Sequence, residues 1–193
     1  SVTGVQTCAL PISPSDNVVG GDLLWMKGDN VVKKSGQVVS YPSGFEALSL
    51  TVGGGYYAAP QKGTLFLAAG PSTGGEANVH VAFTEETLSV NVSADGVLSG
   101  TGATNTARFL PNPDAIKFGG INLKTGVVSG TFAVPGQVAG WSRASTFSGI
   151  AVPHEGGFMA KGYALIPKGD AAAGKTNPSE RVSGVMEMTV LGQ

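Results

Sequence analysis

Glycine and proline interrupt this sequence so often that only one stretch longer than twelve residues, Glu76 to Asp95, is free of both. A globular helix runs about 11–12 residues, and interior glycine or proline weakens or breaks its hydrogen-bond ladder. Helices therefore have almost nowhere to sit. Even the long stretch has the wrong period for one. Val79, Val81 and Phe83, then Leu88, Val90 and Val92, alternate with mostly polar neighbours, which is the pattern of half-buried strands. Thr84, Glu85 and Glu86 between the two runs read as a hairpin loop with both carboxylates in solvent.

The same test predicts strands at Gly21 to Lys27, Phe45 to Val52, Thr64 to Ala69, Val97 to Gly102, Ala115 to Asn122, Val127 to Val134, Arg143 to Val152, Phe158 to Ile166 and Arg181 to Leu191. Each is bounded by turn residues. In the last, Val182, Gly184, Met186, Met188 and Val190 form one face while Arg181, Ser183, Glu187 and Thr189 form the other. Such alternation belongs to antiparallel sheets, so the expected class is all-β: an antiparallel meander forming a closed or nearly closed β-barrel, with a β-sandwich as the alternative. A transmembrane barrel is disfavoured, because paired aromatic girdles are not evident and the one strongly apolar face is needed for a core. Ser99-Gly100, Ser129-Gly130, Ser148-Gly149 and Ser183-Gly184 place glycine inside strands. There it marks curvature or a close approach, either of another element or of a ligand. Gly96 to Thr101 and Gly126 to Thr131 repeat nearly the same six residues, and Asp95-Gly96 and Thr125-Gly126 both read as turns.

Composition narrows function. Apolar residues make up 41% of the 193, enough for one core, and 12 basic against 13 acidic side chains leave a net charge of −1. No electrostatic footprint for nucleic acid or an anionic membrane results. Val2 to Ile12 resembles a translated sequencing-library adapter, which makes 1–12 a non-native segment and Cys8, the one cysteine, foreign. Residues 13–193 then form a single β domain without disulfide or thiol chemistry, with a flexible loop near 168–179.

Four segments carry a further resemblance: Asn122-Leu123-Lys124-Thr125-Gly126-Val127-Val128-Ser129-Gly130-Thr131-Phe132, Thr146-Phe147-Ser148-Gly149-Ile150, Lys161-Gly162-Tyr163-Ala164-Leu165-Ile166-Pro167 and Val182-Ser183-Gly184-Val185-Met186-Glu187-Met188. Together with Gly21 to Trp25 and Tyr41-Pro42-Ser43-Gly44-Phe45 they resemble a domain of large secreted or surface proteins of Verrucomicrobia and related environmental bacteria. The resemblance implies a C-terminal structural or interaction module of a larger exported protein, and brings no catalytic residue with it. Members of that family usually carry a further strand, with a Gly-Trp-Leu-like segment, before the position of Gly21. Its absence implies a truncated N-terminus and an open barrel seam with an unpaired edge.

Motifs for chemistry are weak. Gly169-Asp170-Ala171-Ala172-Ala173-Gly174-Lys175-Thr176 matches a phosphate-binding loop. That chemistry needs a following helix and a later aspartate for magnesium. Pro178 forbids the first, and no aspartate follows Asp170. The segment reads as a solvated loop, and no nucleotide is expected. His80 and His154 are the only histidines. His80 is out of phase with Val79 and Val81 and faces outward, His154 follows Pro153 in a turn, and no metal-ligand spacing exists. Gly140-Trp141-Ser142-Arg143-Ala144 lacks the second glycine of a nucleophile elbow. Glu85 and Glu86, adjacent on a hairpin, do not face each other across a cleft as a glycosidase pair must. Asn91-Val92-Ser93 fits a glycosylation sequon but reads as the polar face of a strand.

Aromatic side chains leave more room. Among Trp25, Tyr41, Tyr56, Tyr57 and Trp141, the residues Trp141, Tyr56 and Tyr57 are the expected ligand contacts, able to stack on sugar rings. The expected function is non-catalytic: a structural or interaction module of an exported or cell-surface protein, without catalytic, cofactor or metal residues. Its partner is another surface protein domain, or, in the alternative of a carbohydrate-binding module, a glycan.

Overall fold

A computed structural model describes residues 6–7, 18–27, 45–61, 63–101, 104–136, 142–154, 157–169 and 180–191. The chain divides into two units, Ser1–Tyr56 and Tyr57–Gln193, where the sequence reads one domain over 13–193. The reason is pairing: among the described residues the strands before Tyr56 pair only with one another.

The first unit is a three-stranded antiparallel sheet of β1 (Gln6–Thr7), β2 (Val18–Lys27) and β3 (Phe45–Gly55), with β2 in the middle. Gln6 and Thr7, inside the segment that resembles an adapter, pair with Leu24 and Leu23. Trp25 lies opposite Leu48 and meets Phe45 edge-on at 4.8 Å.

The second unit is a closed eight-stranded barrel, which decides against the sandwich. Its strands are β4 (Val79–Glu85), β5 (Val90–Thr101), β6 (Thr104–Phe109), β7 (Lys117–Asn122), β8 (Val127–Pro135), β9 (Ser142–His154), β10 (Gly157–Pro167) and β11 (Arg181–Val190). They follow one another as an antiparallel meander, and β11 returns to pair with β4 from Val190↔Val79 to Val185↔Thr84. The ring thus closes without any residue upstream of Val79. The open seam expected from a missing N-terminal strand is not found between the barrel's first and last strands.

The inner wall is apolar. Phe83 stacks on Phe132 at 4.1 Å and tilts against Phe147 at 5.0 Å, while Phe118 meets Phe147 edge-on. Met186, Met188, Val79, Val81, Val128 and Leu98 complete a core without solvent contact. The outer wall carries Thr84, Asn91, Ser93, Thr106, Ser129, Thr131 and Thr146, all exposed. Apolar inside and polar outside is the reverse of a transmembrane barrel.

Glycines inside the strands make room for this core. A Cβ at Gly149 would lie 3.0 Å from Met186 Sδ, one at Gly130 would press into the Phe147 ring, and one at Gly162 would collide with the Ser148 carbonyl of the adjacent strand. The close approach is therefore of the protein to itself.

Four sequence expectations are corrected. Thr64 to Ala69 is not a strand: Phe66–Ala68 forms a 3₁₀ turn with Phe66 and Leu67 buried in the core. It is anchored by Asn105 Oδ1, which accepts from Phe66 N at 2.6 Å. Asp95-Gly96 is not a turn, because β5 runs straight through it and Gly96 packs under the Phe109 ring at 2.6 Å from its would-be Cβ. The copy at Gly126, with φ of +72°, does turn the chain. Thr84 and Glu85 belong to β4 rather than to the loop, the Glu85 carboxylate accepting from Thr87 N and Leu88 N at 3.1 and 2.6 Å, and the reversal runs from Glu86, whose carbonyl accepts from Ser89 N at 3.1 Å, to Ser89. His154 ends β9 instead of forming a turn.

Gly162→Ala is expected to destabilise the barrel by about 2 kcal/mol or more, because the neighbouring backbone has to shift. Gly120→Ala, where nothing but Ser129 Oγ comes within 4.0 Å, is expected to change stability by less than about 0.5 kcal/mol. Urea unfolding of the two variants checks both values.

Candidate functional site

Chemistry does not converge anywhere among the described residues. No group of three histidine, cysteine or acidic side chains is placed to hold a metal. His80 faces out as its phase predicts and pairs through Nδ1 with its cross-strand neighbour Asp95 at 2.6 Å. Ser142 is exposed at the start of β9, and Arg143 beside it turns inward to donate from Nη2 to the Pro135 carbonyl at 3.1 Å. The base of the 168–179 loop is closed by Lys168, whose N donates to Glu180 O at 3.0 Å and whose Nζ meets the Glu180 carboxylate at 2.7 Å. Residues 170–179, and with them most of the phosphate-loop match, lie outside the described residues.

The three expected ligand contacts fare differently. Trp141 lies outside the described residues, as does Tyr41. Tyr56 is 67% exposed. Tyr57 is half buried and built into the second unit: its hydroxyl donates to the Leu123 carbonyl at 2.9 Å, its ring meets Phe158 edge-on at 6.0 Å, and it lies against Gly126. Burial pushes its hydroxyl above the usual tyrosine range. With Asn122 Oδ1 accepting from Lys124 N and Thr125 N, Tyr57 fixes the β7–β8 turn.

What the outer wall does offer is apolar. Val127 lies across from Ile150, and Tyr163 across from Val185. Their exposures are 39%, 48%, 50% and 50%. Ile150 sits diagonal to Tyr163, since Lys161 is its direct partner on β10. The four form a band over β8 to β11, with the Lys161–Glu187 ion pair, 3.1 Å long, on its flank. At its β8 end the band runs into an open groove of about 650 Å³, lined by Gly120, Asn122, Leu123, Lys124, Val127 and Ser129. Sequence reasoning passed over Tyr163, yet its phase marks it: it shares the face of Lys161, opposite the buried Ala160 and Ala164.

Comparison of the chain with protein-family models, curated proteins and solved structures gives no match.

Two substitutions test how the β7–β8 hairpin is held. Tyr57→Phe removes one buried hydrogen bond and is expected to cost about 1 kcal/mol, measurable by denaturant unfolding. Asp114, before β7, has its carboxyl pushed above the usual range by burial. A carboxyl raised in the folded state favours folding below its unfolded pKa and loses that contribution as pH rises through the folded value. Asp114→Asn is therefore expected to raise the melting temperature at pH 7 and to bring no gain at pH 3. The main-chain bond from Ala133 N to Asp114 O, 2.7 Å, is untouched by the change.

Proposed function

We propose that the barrel is a non-catalytic interaction module of a larger exported or cell-surface bacterial protein, at its C-terminal end, and that it docks another protein domain on the band of Val127, Ile150, Tyr163 and Val185. The band carries this reading. Contiguous apolar side chains on an otherwise polar wall mark contact surfaces, and an exposed tyrosine beside aliphatics has the composition of an interface centre. The interior supports it from the other side, since phenylalanines and methionines fill the space where a small barrel would hold a ligand. The export context rests on the family resemblance of Ile121 to Met188.

Benzoylphenylalanine at Ser148, beside the band, in the parent protein displayed by its own cells is expected to form protein adducts. The same label at exposed Ser99, three strands from β8 around the ring and eight residues along β5 from Asn91, the position level with Val185, is expected to form none. Equal yields at both positions, or none at Ser148, would overturn the reading.

Carbohydrate binding is the second reading, favoured by the exposed ring of Tyr56. A glycan array separates the two: retention that Tyr56→Ala or Trp141→Ala abolishes and Tyr163→Ala leaves intact would establish the sugar module in place of the docking band.

A further inference from the structure

We infer that the junction of β6 and β7 is a strand-accepting site for an extended acidic peptide. Every other junction in the ring has at least five registered residue pairs, whereas β6 and β7 share one, Thr104↔Asn122. The cause is local. β6 is fully paired to β5 from Phe109↔Gly96 to Thr104↔Thr101. β7 leans the other way, because a bulge between Phe118 and Gly120 bends it and Asp114 O extends its ladder onto Ala133 N of β8. The edge of β7 from Lys117 to Ile121 is thus left without a strand partner on its β6 side, and an edge of this kind templates pairing with a further strand.

Three other features sit at the same place. Gly119 and Gly120 are exposed, and no atom comes closer than 3.8 Å to a Cβ at either, so another backbone can approach. The open groove of about 650 Å³ begins at Gly120 and gives side chains of an added strand somewhere to go. Charge selects the occupant. Between Thr104 and Pro135 the exposed charged side chains are Arg108, Lys117 and Lys124, and the single carboxylate, Asp114, is half buried. In a chain of net charge −1 this sector is cationic, so it attracts an acidic strand and repels a second copy of its own edge. The aromatic stack of Phe109 on Phe118, 5.8 Å apart, seals the core beneath.

The test titrates the intact chain, labelled with nitrogen-15, with an acetylated and amidated hexapeptide of alternating glutamate and valine. The amide signals of Gly119, Gly120 and Ile121 are expected to shift, with binding weakened as salt rises. Alternate N-methylation of the peptide, which removes its strand-pairing donors, is expected to weaken binding at least ten-fold. So is the exposed double change Lys117→Glu and Lys124→Glu, with circular dichroism reporting an intact fold. The proposal is overturned by any of four outcomes: equal binding of the methylated peptide, equal binding of a lysine-valine peptide, no binding at millimolar concentration, or self-association through the same amides. Shifts confined to Ile150, Tyr163 and Val185 would also overturn it and refer the peptide to the docking band instead.

Discussion

The barrel depends on one long-range pairing, β11 against β4. Val79 and Val190 stand at opposite ends of the ring sequence, and bringing them together closes a loop of roughly 110 residues, which costs about 4 kcal/mol in chain entropy beyond a constant. Nothing local returns that cost. It is offset only when Met186 and Met188 of β11 enter the core beside Val81 and Phe83, all four without solvent contact. One further bond extends the closure past the strand ends, Leu191 N to Asn78 O, while Asn78 N to Gly96 O extends the neighbouring β4–β5 ladder. Non-local pairing of this kind also makes for slow folding.

Asn78 does more than extend a ladder. β5 pairs with β4 through Val90 to Gly96 and with β6 through Gly96 to Thr101, so beyond Gly96 it has left its first neighbour behind. The amide of Asn78 stands in for the missing strand: Oδ1 accepts from Leu98 N at 2.7 Å, and Nδ2 donates to Leu98 O at 3.0 Å and to Gly70 O at 2.8 Å. One buried side chain thereby satisfies both main-chain groups of Leu98, which would otherwise be left unpaired in the interior, and ties in Gly70.

Legibility in the sequence follows the same physics. Strands whose inner face is uniformly apolar, such as Arg181 to Val190 and Val127 to Pro135, are read to within a residue or two, because alternation reports burial directly. β6 escaped because its inward position Asn105 is polar, its oxygen being needed by Phe66 N, and a polar residue in phase with Ala107 and Phe109 erases the alternation. Phe66 and Leu67 were misread for the converse reason: an apolar run shows that residues are buried and not how the backbone gets them there, and Leu67 at a φ of 59° bends into the core instead of crossing it. The Gly96 and Gly126 copies are nearly identical in sequence, and only the Phe109 ring over one and the Tyr57 ring beside the other separate a strand from a turn. For the site, the exposure of Tyr163 follows from phase alone. The thin junction of β6 and β7 does not, since it arises from a bulge and from a main-chain bond made by Asp114.

The plug at Phe66 to Ala68 carries a consequence for how the barrel comes together. It precedes every strand of the ring, so a ribosome delivers it first, yet its anchors come later: Asn105 holds Phe66, and Asn78 holds Gly70 only once Leu98 is beside it. Leu67 and Ala68 both sit in the left-handed backbone region that such residues avoid in isolation, so the turn does not preform. The first-made piece of the barrel thus cannot lock until β6 has followed it, and vectorial synthesis, which favours domains that assemble from the front, leaves it waiting.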